Sequence, residues 1–262
     1  MMSDLVKLER EGAVSRIWLE RPDVHNAFND EVVARLDELI REVVQSEARV
    51  LVLGGRGRSF SAGADLNWMK SKGQSGDSEN REDAAKLAAM LRVLSSAPQA
   101  TIARVQGTAL GGGLGLISAC DIAIAVERAK FGFSEVRLGL IPAVISPHAI
   151  EKIGPGRARQ LFVTGERFDA AHAERYGLIS QVVPDEEALD LAVDAAVSQV
   201  LQNGPQAVAA AKELIRQVPS LPASQVDAYT SAQIAARRAS EEGREGITAF
   251  LEKRSPSWQA PN

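Results

Sequence analysis

The chain has 262 residues, 45% of them hydrophobic and 24% charged, with a formal net charge of -4; this composition suits a soluble globular protein with a substantial apolar core and leaves no electrostatic footprint for nucleic acid. One cysteine, Cys120, excludes an intramolecular disulfide and, with three histidines, argues against a Cys/His zinc site, so no metal is expected. No apolar run approaches the roughly 18 residues that span a bilayer, and the N-terminus lacks the pattern of a signal peptide, which points to the cytoplasm with no membrane partner.

Alternation over residues 5–9 and 14–20 around Glu11-Gly12 predicts a β-hairpin that ends at Arg21-Pro22. A loop, Asp23 to Phe28, leads to Asn29 as an N-cap, and Val32, Val33, Leu36, Leu39, Ile40, Val43 and Val44 then recur at helical spacing up to Gln45. Val50-Leu51-Val52-Leu53 reads as a buried strand followed by a loop over 56–63. Residues 71–82 are polar, glycine-containing and aperiodic, and read as a surface loop before a helix over about 82–96. A strand at 101–105, a glycine stretch, a helix at about 112–119 and strands at 122–126 and 130–133 complete a pattern that argues α/β. Beyond Ala143 only 179–183 reads as a strand. Helices are expected at about 146–152, 156–163, 169–175, 186–202, 205–217, 224–241 and 243–253, and the apolar faces of the last ones imply an oligomer interface.

The glycine stretch Gly107-Thr108-Ala109-Leu110-Gly111-Gly112-Gly113-Leu114-Gly115 opens a helix, where backbone N–H groups can approach an oxyanion at the positive end of the helix dipole. An isolated cluster of this kind is equally a tight turn. A second small-residue turn, Ser59-Phe60-Ser61-Ala62-Gly63-Ala64-Asp65-Leu66, also opens a helix, and two such turns can each offer one N–H to the same oxygen. Phe131-Gly132-Phe133-Ser134-Glu135 places a carboxylate after a short strand, either as an acid–base group or as a helix-start residue. Asp65 reads as a helix cap and Asp121 as a structural hydrogen-bonding residue. His25, His148 and His172 have no identified catalytic partner.

Taken together, the Arg21-Pro22 loop with Asn26-Ala27, the Phe60–Leu66 turn, the Gly107–Asp121 block, the Phe131–Pro142 block and the tail Gly246 to Arg254 resemble the enoyl-CoA hydratase/isomerase (crotonase) superfamily over nearly the whole chain. The resemblance implies a ClpP/crotonase-like α/β spiral of repeated ββα units over residues 1–200, carrying the acyl-CoA site, and a helical oligomerisation region over 201–262 that builds a trimer or a dimer of trimers. It implies an acyl-CoA thioester whose oxygen lies between the N–H groups of Ala64 and Gly112, with Glu135 as the acid–base residue. CoA contacts carry over to Val24, Ala27, Ala62, Ala64 and Leu66, and to Phe250 and Lys253 of the tail, which a neighbouring subunit can supply. No cofactor is expected, because coenzyme A is part of the substrate.

The sequence departs from the common hydratase pattern at Gly115, where many relatives carry a second catalytic glutamate. Gly115 is therefore expected to shape the pocket by removing charge and bulk beside the acyl chain. With Glu135-Val136-Arg137-Leu138-Gly139-Leu140-Ile141-Pro142-Ala143-Val144-Ile145-Ser146-Pro147, it resembles a bacterial subgroup associated with methylglutaconyl-CoA and carboxygeranoyl-CoA hydratases, which act in leucine and terpene breakdown. Three functions follow from the resemblance. The first is hydration of a 2-enoyl-CoA, branched or carboxylated; the second is 3,2-enoyl-CoA isomerisation, which needs a single proton shuttle; the third is acyl-CoA binding without catalysis.

Overall fold

In the computed structural model, which describes residues 5–73 and 76–259, the hairpin strands β1 (Val6–Glu11) and β2 (Val14–Leu19) pair antiparallel with Val6 opposite Leu19. Asn29 then caps α1 (Asp30–Val44), its side chain accepting from the Val32 N–H at 3.0 Å, and the predicted apolar stripe from Val32 to Val43 is buried. From there one unit repeats: a strand in a large sheet, a short strand in a second sheet, then helix. β3 (Val50–Gly55) and β4 (Ser59–Ser61) lead into α2 (Leu66–Lys72) and α3 (Asp77–Ser96). β5 (Ala100–Val105) and β6 (Thr108–Leu110) lead into α4 (Gly112–Ala119), and β7 (Ile122–Val126) and β8 (Lys130–Gly132) lead into a 3-10 turn at Glu135–Leu138 and α5 (Ser146–Thr164). β9 (Arg167–Asp169) returns antiparallel to β8, and α6 (Ala170–Arg175) leads to β10 (Gln181–Val183).

The two sheets run β1-β2-β3-β5-β7-β10 and β4-β6-β8-β9. Successive repeats add parallel strands to both, which is the ββα spiral that the family resemblance implies. The central strands β3 and β5 of the larger sheet are covered on both faces, so they are buried at every residue and carry no alternation. α7 (Glu186–Leu201) lays Leu189, Val193 and Val197 against β3, β5, β7 and β10. α4 packs between α3 and α5, with seven of its eight residues, Gly113 to Ala119, buried. A helix apolar all round must lie inside the molecule, and its buried start places the glycine stretch at the centre.

Three strands that the sequence reading places in loops or a turn are present: β4, β6 and β9, each of three residues. Such short strands are too brief to show a period of two, and pairing in the second sheet supplies what local sequence does not. The expected loop over 71–82 is also corrected. α2 runs to Lys72 and α3 begins at Asp77, leaving only a short connection, of which residues 74 and 75 lie outside the described part. What organises this polar stretch is charge: Lys72 Nζ lies 3.2, 3.0 and 2.6 Å from carboxylates of Asp30, Glu79 and Asp83. The two helices expected over 146–163 are present within α5, separated at Gly154, whose φ of 72° and ψ of 160° break the helical path before Pro155.

The C-terminal helices α8 (Pro205–Gln217), α9 (Ala223–Ala239) and α10 (Glu241–Leu251) are held differently. α8 and α9 contain no buried residue and α10 only Ala249. Polar ties attach them instead. Lys212 donates to Asp121 Oδ2 and to the Gln99 carbonyl, both at 2.7 Å, and Glu242 accepts from the Gln206 and Ala207 N–H groups at 2.9 and 2.7 Å, capping α8 where Gly204 has no side chain to do so. Asp121 also accepts from the backbone and hydroxyl of Thr101, which is the structural role expected of it. Among the described residues, no helix is long and apolar enough to cross a membrane.

Candidate active site

The site is assembled where three chain segments meet: the loop before α1, the turn after β4 and the start of α4. Asn26, buried and at a φ of 54°, fixes the first to the second by donating to the carbonyls of Arg56 and Ser59 at 3.0 and 2.8 Å, while its own Oδ1 accepts from the Arg21 N–H. Ser61 Oγ donates to the Asn26 carbonyl and accepts from the Gly63 N–H. Phe28 and Ala64 form a parallel bridge in which the Phe28 N–H donates to the Gly63 carbonyl at 2.7 Å and the Asp65 N–H donates to the Phe28 carbonyl at 2.8 Å. Asp65 caps α2 by accepting from the Asn67 and Trp68 N–H groups, as the sequence predicts, and lies 3.5 Å from Arg21.

This bridge engages the residues on either side of Ala64 and leaves the Ala64 N–H without a hydrogen-bond partner among the described residues. The Gly112 N–H, in the first turn of α4, is equally without one, as helix geometry requires of a helix start. The two turns pack so closely that only glycine fits. A Cβ on Gly63 would lie 2.8 Å from the Leu110 carbonyl oxygen and 3.2 Å from the Gly112 nitrogen, and one on Gly113 would lie 2.7 Å from the Ser61 carbonyl oxygen. Ala64, Gly112 and Glu135 line one cavity of about 540 Å³, together with Val24, Ala27, Ala62 and Leu66. The structure thus gathers the predicted catalytic residues and every predicted CoA contact outside the tail. It does not bring Phe250 or Lys253 there: Phe250 is 83% exposed on α10 and Lys253 follows that helix.

Glu135 begins the 3-10 turn after β8 and is half-buried. Its Oε2 is enclosed and has no hydrogen-bond partner, and no cation pairs with it among the described residues. Burial therefore pushes its carboxyl above the usual carboxylate range, an effect that its own backbone N–H partly offsets. Asp65, the other carboxylate lining the cavity, is occupied by capping and by Arg21. Glu135 is the group free to move a proton. A carboxylate that is desolvated and unpaired is a stronger base when ionised and a competent acid when protonated.

A second, inner cavity of about 160 Å³ continues from Ala64, Gly112 and Glu135, walled by Phe28, Val33, Trp68, Leu87 and Ile141 to Ile145. Gly115 lines neither cavity. A Cβ there would lie 2.4 Å from Ile145 Cγ2 and 3.3 Å from Leu91 Cδ1, so the expected vacancy is filled with hydrocarbon. The pocket-shaping expectation for Gly115 is corrected in part: the charge is absent, but the bulk has been replaced by Ile145, which does line the inner cavity. The sequence reading missed this wall. Val144 and Ile145 precede Pro147 without helical or strand period, and only their position over α4 reveals them.

It also missed Arg137 and Arg167, which line the outer cavity with no ion-pair partner among the described residues. Arg137 is oriented by donating from Nε to the Gly165 carbonyl at 2.8 Å. Arg167 stands on β9, whose three residues give no signal of their own. None of the histidines lines either cavity. His25 Nδ1 is 3.0 Å from Ser59 Oγ, His172 Nδ1 is 2.8 Å from Asp169 Oδ1, and His148 is held below its ordinary pKa by burial.

Paired backbone donors facing one desolvated carboxylate, on a ββα spiral, define the crotonase class of fold and site. The chain belongs to this family: the family model described as enoyl-CoA hydratase/isomerase matches residues 9–261. It is 33% identical to the 2,3-dehydroadipyl-CoA hydratase of Escherichia coli over 98% of this chain and 99% of that one. It is also 33% identical to the short-chain-enoyl-CoA hydratase of Clostridium acetobutylicum, over 95% of each. Among solved structures, an enoyl-CoA hydratase from Shewanella pealeana superposes with a TM-score of 0.93 at 40% identity, covering 97% of this chain and 96% of that one.

Proposed function

We propose that this enzyme hydrates a 2-enoyl-CoA thioester. The observation that carries the reading is the unpartnered Oε2 of Glu135 in the same cavity as the free N–H groups of Ala64 and Gly112. The thioester oxygen sits between those two donors, the CoA moiety follows the outer cavity along Val24, Ala27, Ala62 and Leu66, and the acyl chain enters the inner one. Ionised Glu135 removes a proton from water as the water oxygen bonds to the β-carbon; the C=C electron pair moves toward the carbonyl, and the charge on the resulting enolate oxygen is held by the two N–H groups. Protonated Glu135 then returns its proton to the α-carbon. One water has been added across the double bond and the carboxylate is restored. The unpaired guanidinium groups of Arg137 and Arg167 at the outer cavity support an anionic carrier such as CoA.

The acyl group we infer is short, and branched or carboxylated, of the methylglutaconyl type. An inner cavity of about 160 Å³ compares with engineered apolar cavities of about 150 Å³ that admit benzene. The absent charge at Gly115 and the likeness to a hydratase named for a dehydroadipyl thioester support a carboxylate. A panel of straight, branched and carboxylated enoyl-CoA thioesters in ¹⁸O-labelled water tests both levels: label in the product establishes hydration, and a strong preference for crotonyl-CoA over methylglutaconyl-CoA refutes the finer assignment. A 3,2-enoyl-CoA isomerase is the second reading, favoured by Ile145 closing the place of a second acid; it predicts a shifted double bond without label. An acyl-CoA binder without activity would be inert across the panel.

For the assembly we propose a trimer, alone or paired, built by residues 201–262, with Phe250 and Lys253 completing the CoA site of a neighbour. Exposed Ile215, Ile234, Ile247, Phe250 and Leu251 on helices with almost no buried residue support it. Light scattering after size exclusion reads the state directly, and a monomer at micromolar concentration refutes it.

A further inference from the structure

The indole Nε1 of Trp68 is enclosed and has no hydrogen-bond acceptor among the described residues. Trp68 lines the inner cavity beside Glu135 and also a third cavity of about 310 Å³ that continues past Leu87 and Val144 toward Lys72 and Lys86. Apart from Glu135 and the backbone at Ala64 and Gly112, the inner cavity is walled by hydrocarbon, so among the described residues the indole N–H is its one unsatisfied side-chain donor. Trp68 is also fixed in place: its backbone N–H donates to Asp65, the cap that follows the Ala64 donor directly in sequence. The spacing between thioester and indole is thereby set by one short helix start. Lys72 is not a rival for a ligand, because three carboxylates already surround its ammonium.

We propose that Trp68 is a specificity-determining residue that donates a hydrogen bond to an oxygen acceptor on the acyl chain, on the far side of the double bond from the thioester. This rests on the acyl-CoA reading of the site and deepens it by naming a feature of the substrate. The shared chemistry is an acceptor oxygen, carried either by a terminal carboxylate or by a neutral carbonyl. A chain lacking it leaves the donor buried and unpaired, which a site of this kind penalises strongly.

The test is calorimetric binding of three saturated, unreactive thioesters, hexanoyl-CoA, adipoyl-CoA and 5-oxohexanoyl-CoA, with free CoA as reference, to the wild type and to Trp68→Phe. The alkyl ligand reports packing lost with the larger ring, so the ratio between ligands isolates the donor. The expected result is that at least one oxygenated ligand binds the wild type about tenfold more tightly than hexanoyl-CoA, and that the ratio falls to within about twofold in Trp68→Phe. Preference for adipoyl-CoA identifies the carboxylate, and preference for 5-oxohexanoyl-CoA the neutral carbonyl. Equal affinities in the wild type, or a ratio that survives the substitution, overturn the proposal while leaving the acyl-CoA site intact. Failure of every thioester to bind better than free CoA overturns the acyl-CoA reading and this inference with it. Equal wild-type affinities overturn the proposal even if Trp68→Phe does not fold, and in that case Trp68→His, which keeps a ring N–H, and Trp68→Leu, which does not, provide the comparison: the ratio is expected to fall further in Trp68→Leu, and an equal ratio in both overturns the proposal.

Discussion

One helical turn apart at the start of α4, Gly111 and Gly115 face opposite chemistries. Beside Gly111 stands the carboxylate of Glu135, where an added Cβ would approach Oε1 to 3.2 Å; beside Gly115 stands the hydrocarbon of Ile145, at 2.4 Å. Both glycines let another side chain come close, but the first admits a proton carrier and the second admits a plug. The difference teaches that a missing acid does not by itself leave a hole. Packing has closed the second position, so in the proposed reaction the acid–base work falls on one carboxylate, and two backbone donors hold the oxyanion.

The sharpest way to break the comparison is Glu135→Gln. Removing the one carboxylate of the cavity that is unengaged among the described residues is expected to lower turnover by roughly 10³-fold or more, with acyl-CoA affinity retained within a few fold in equilibrium binding. Gly63→Ala acts on the donors: at a φ of 83° and 2.8 Å from the Leu110 carbonyl oxygen, the added methyl must displace the turn that carries the Ala64 N–H. A loss of about 10²-fold in kcat is expected, the scale of removing one oxyanion donor.

Gly115→Glu addresses the plugged side. Overpacking against Ile145 together with burial of a carboxylate is expected to cost about 3 kcal/mol in denaturant unfolding. Combining it with Ile145→Ala is expected to recover part of that loss, and a strictly additive double variant would argue against direct competition for the same space.

Titration gives a smaller, signed effect. Because burial raises the Glu135 carboxyl, the folded protein holds this proton more tightly than the unfolded chain does. The stability associated with the group is complete below the ordinary carboxyl value of 4.5 and is lost as pH rises through the raised folded value. Glu135→Gln is therefore expected to unfold at a higher temperature than the wild type at pH 7, with the difference vanishing toward about pH 4. The acid limb of activity is expected at a pH above that of an ordinary carboxylate. The smallest effect is expected from His172→Gln on α6, where the His172–Asp169 pair lies outside both cavities; a change in turnover of less than about twofold fits a surface substitution.

Much of the frame was legible because its signals are local. The stripe from Val32 to Val43, the caps Asn29 and Asp65, and the start of α4 after Gly111 each depend on a few neighbouring residues, and each forms where the spacing predicts. The motifs around Ala64, Gly112 and Glu135 were readable for the same reason, since each is a turn with its own glycine or carboxylate. The polar run before α3 misled, because an ionic cluster around Lys72 orders residues that composition assigns to a loop. The sequence by itself thus supplied the α/β class from its local pattern, the spiral through the family resemblance, and the two small-residue turns and the carboxylate that the structure brings to one cavity. Only the tertiary structure decided that Ile145 fills the place beside Gly115 and that Trp68, with its indole N–H enclosed and unpartnered, lines the inner cavity. Such facts belong to contacts between segments distant along the chain, and no local period or propensity encodes which side chain will occupy a space that another has left.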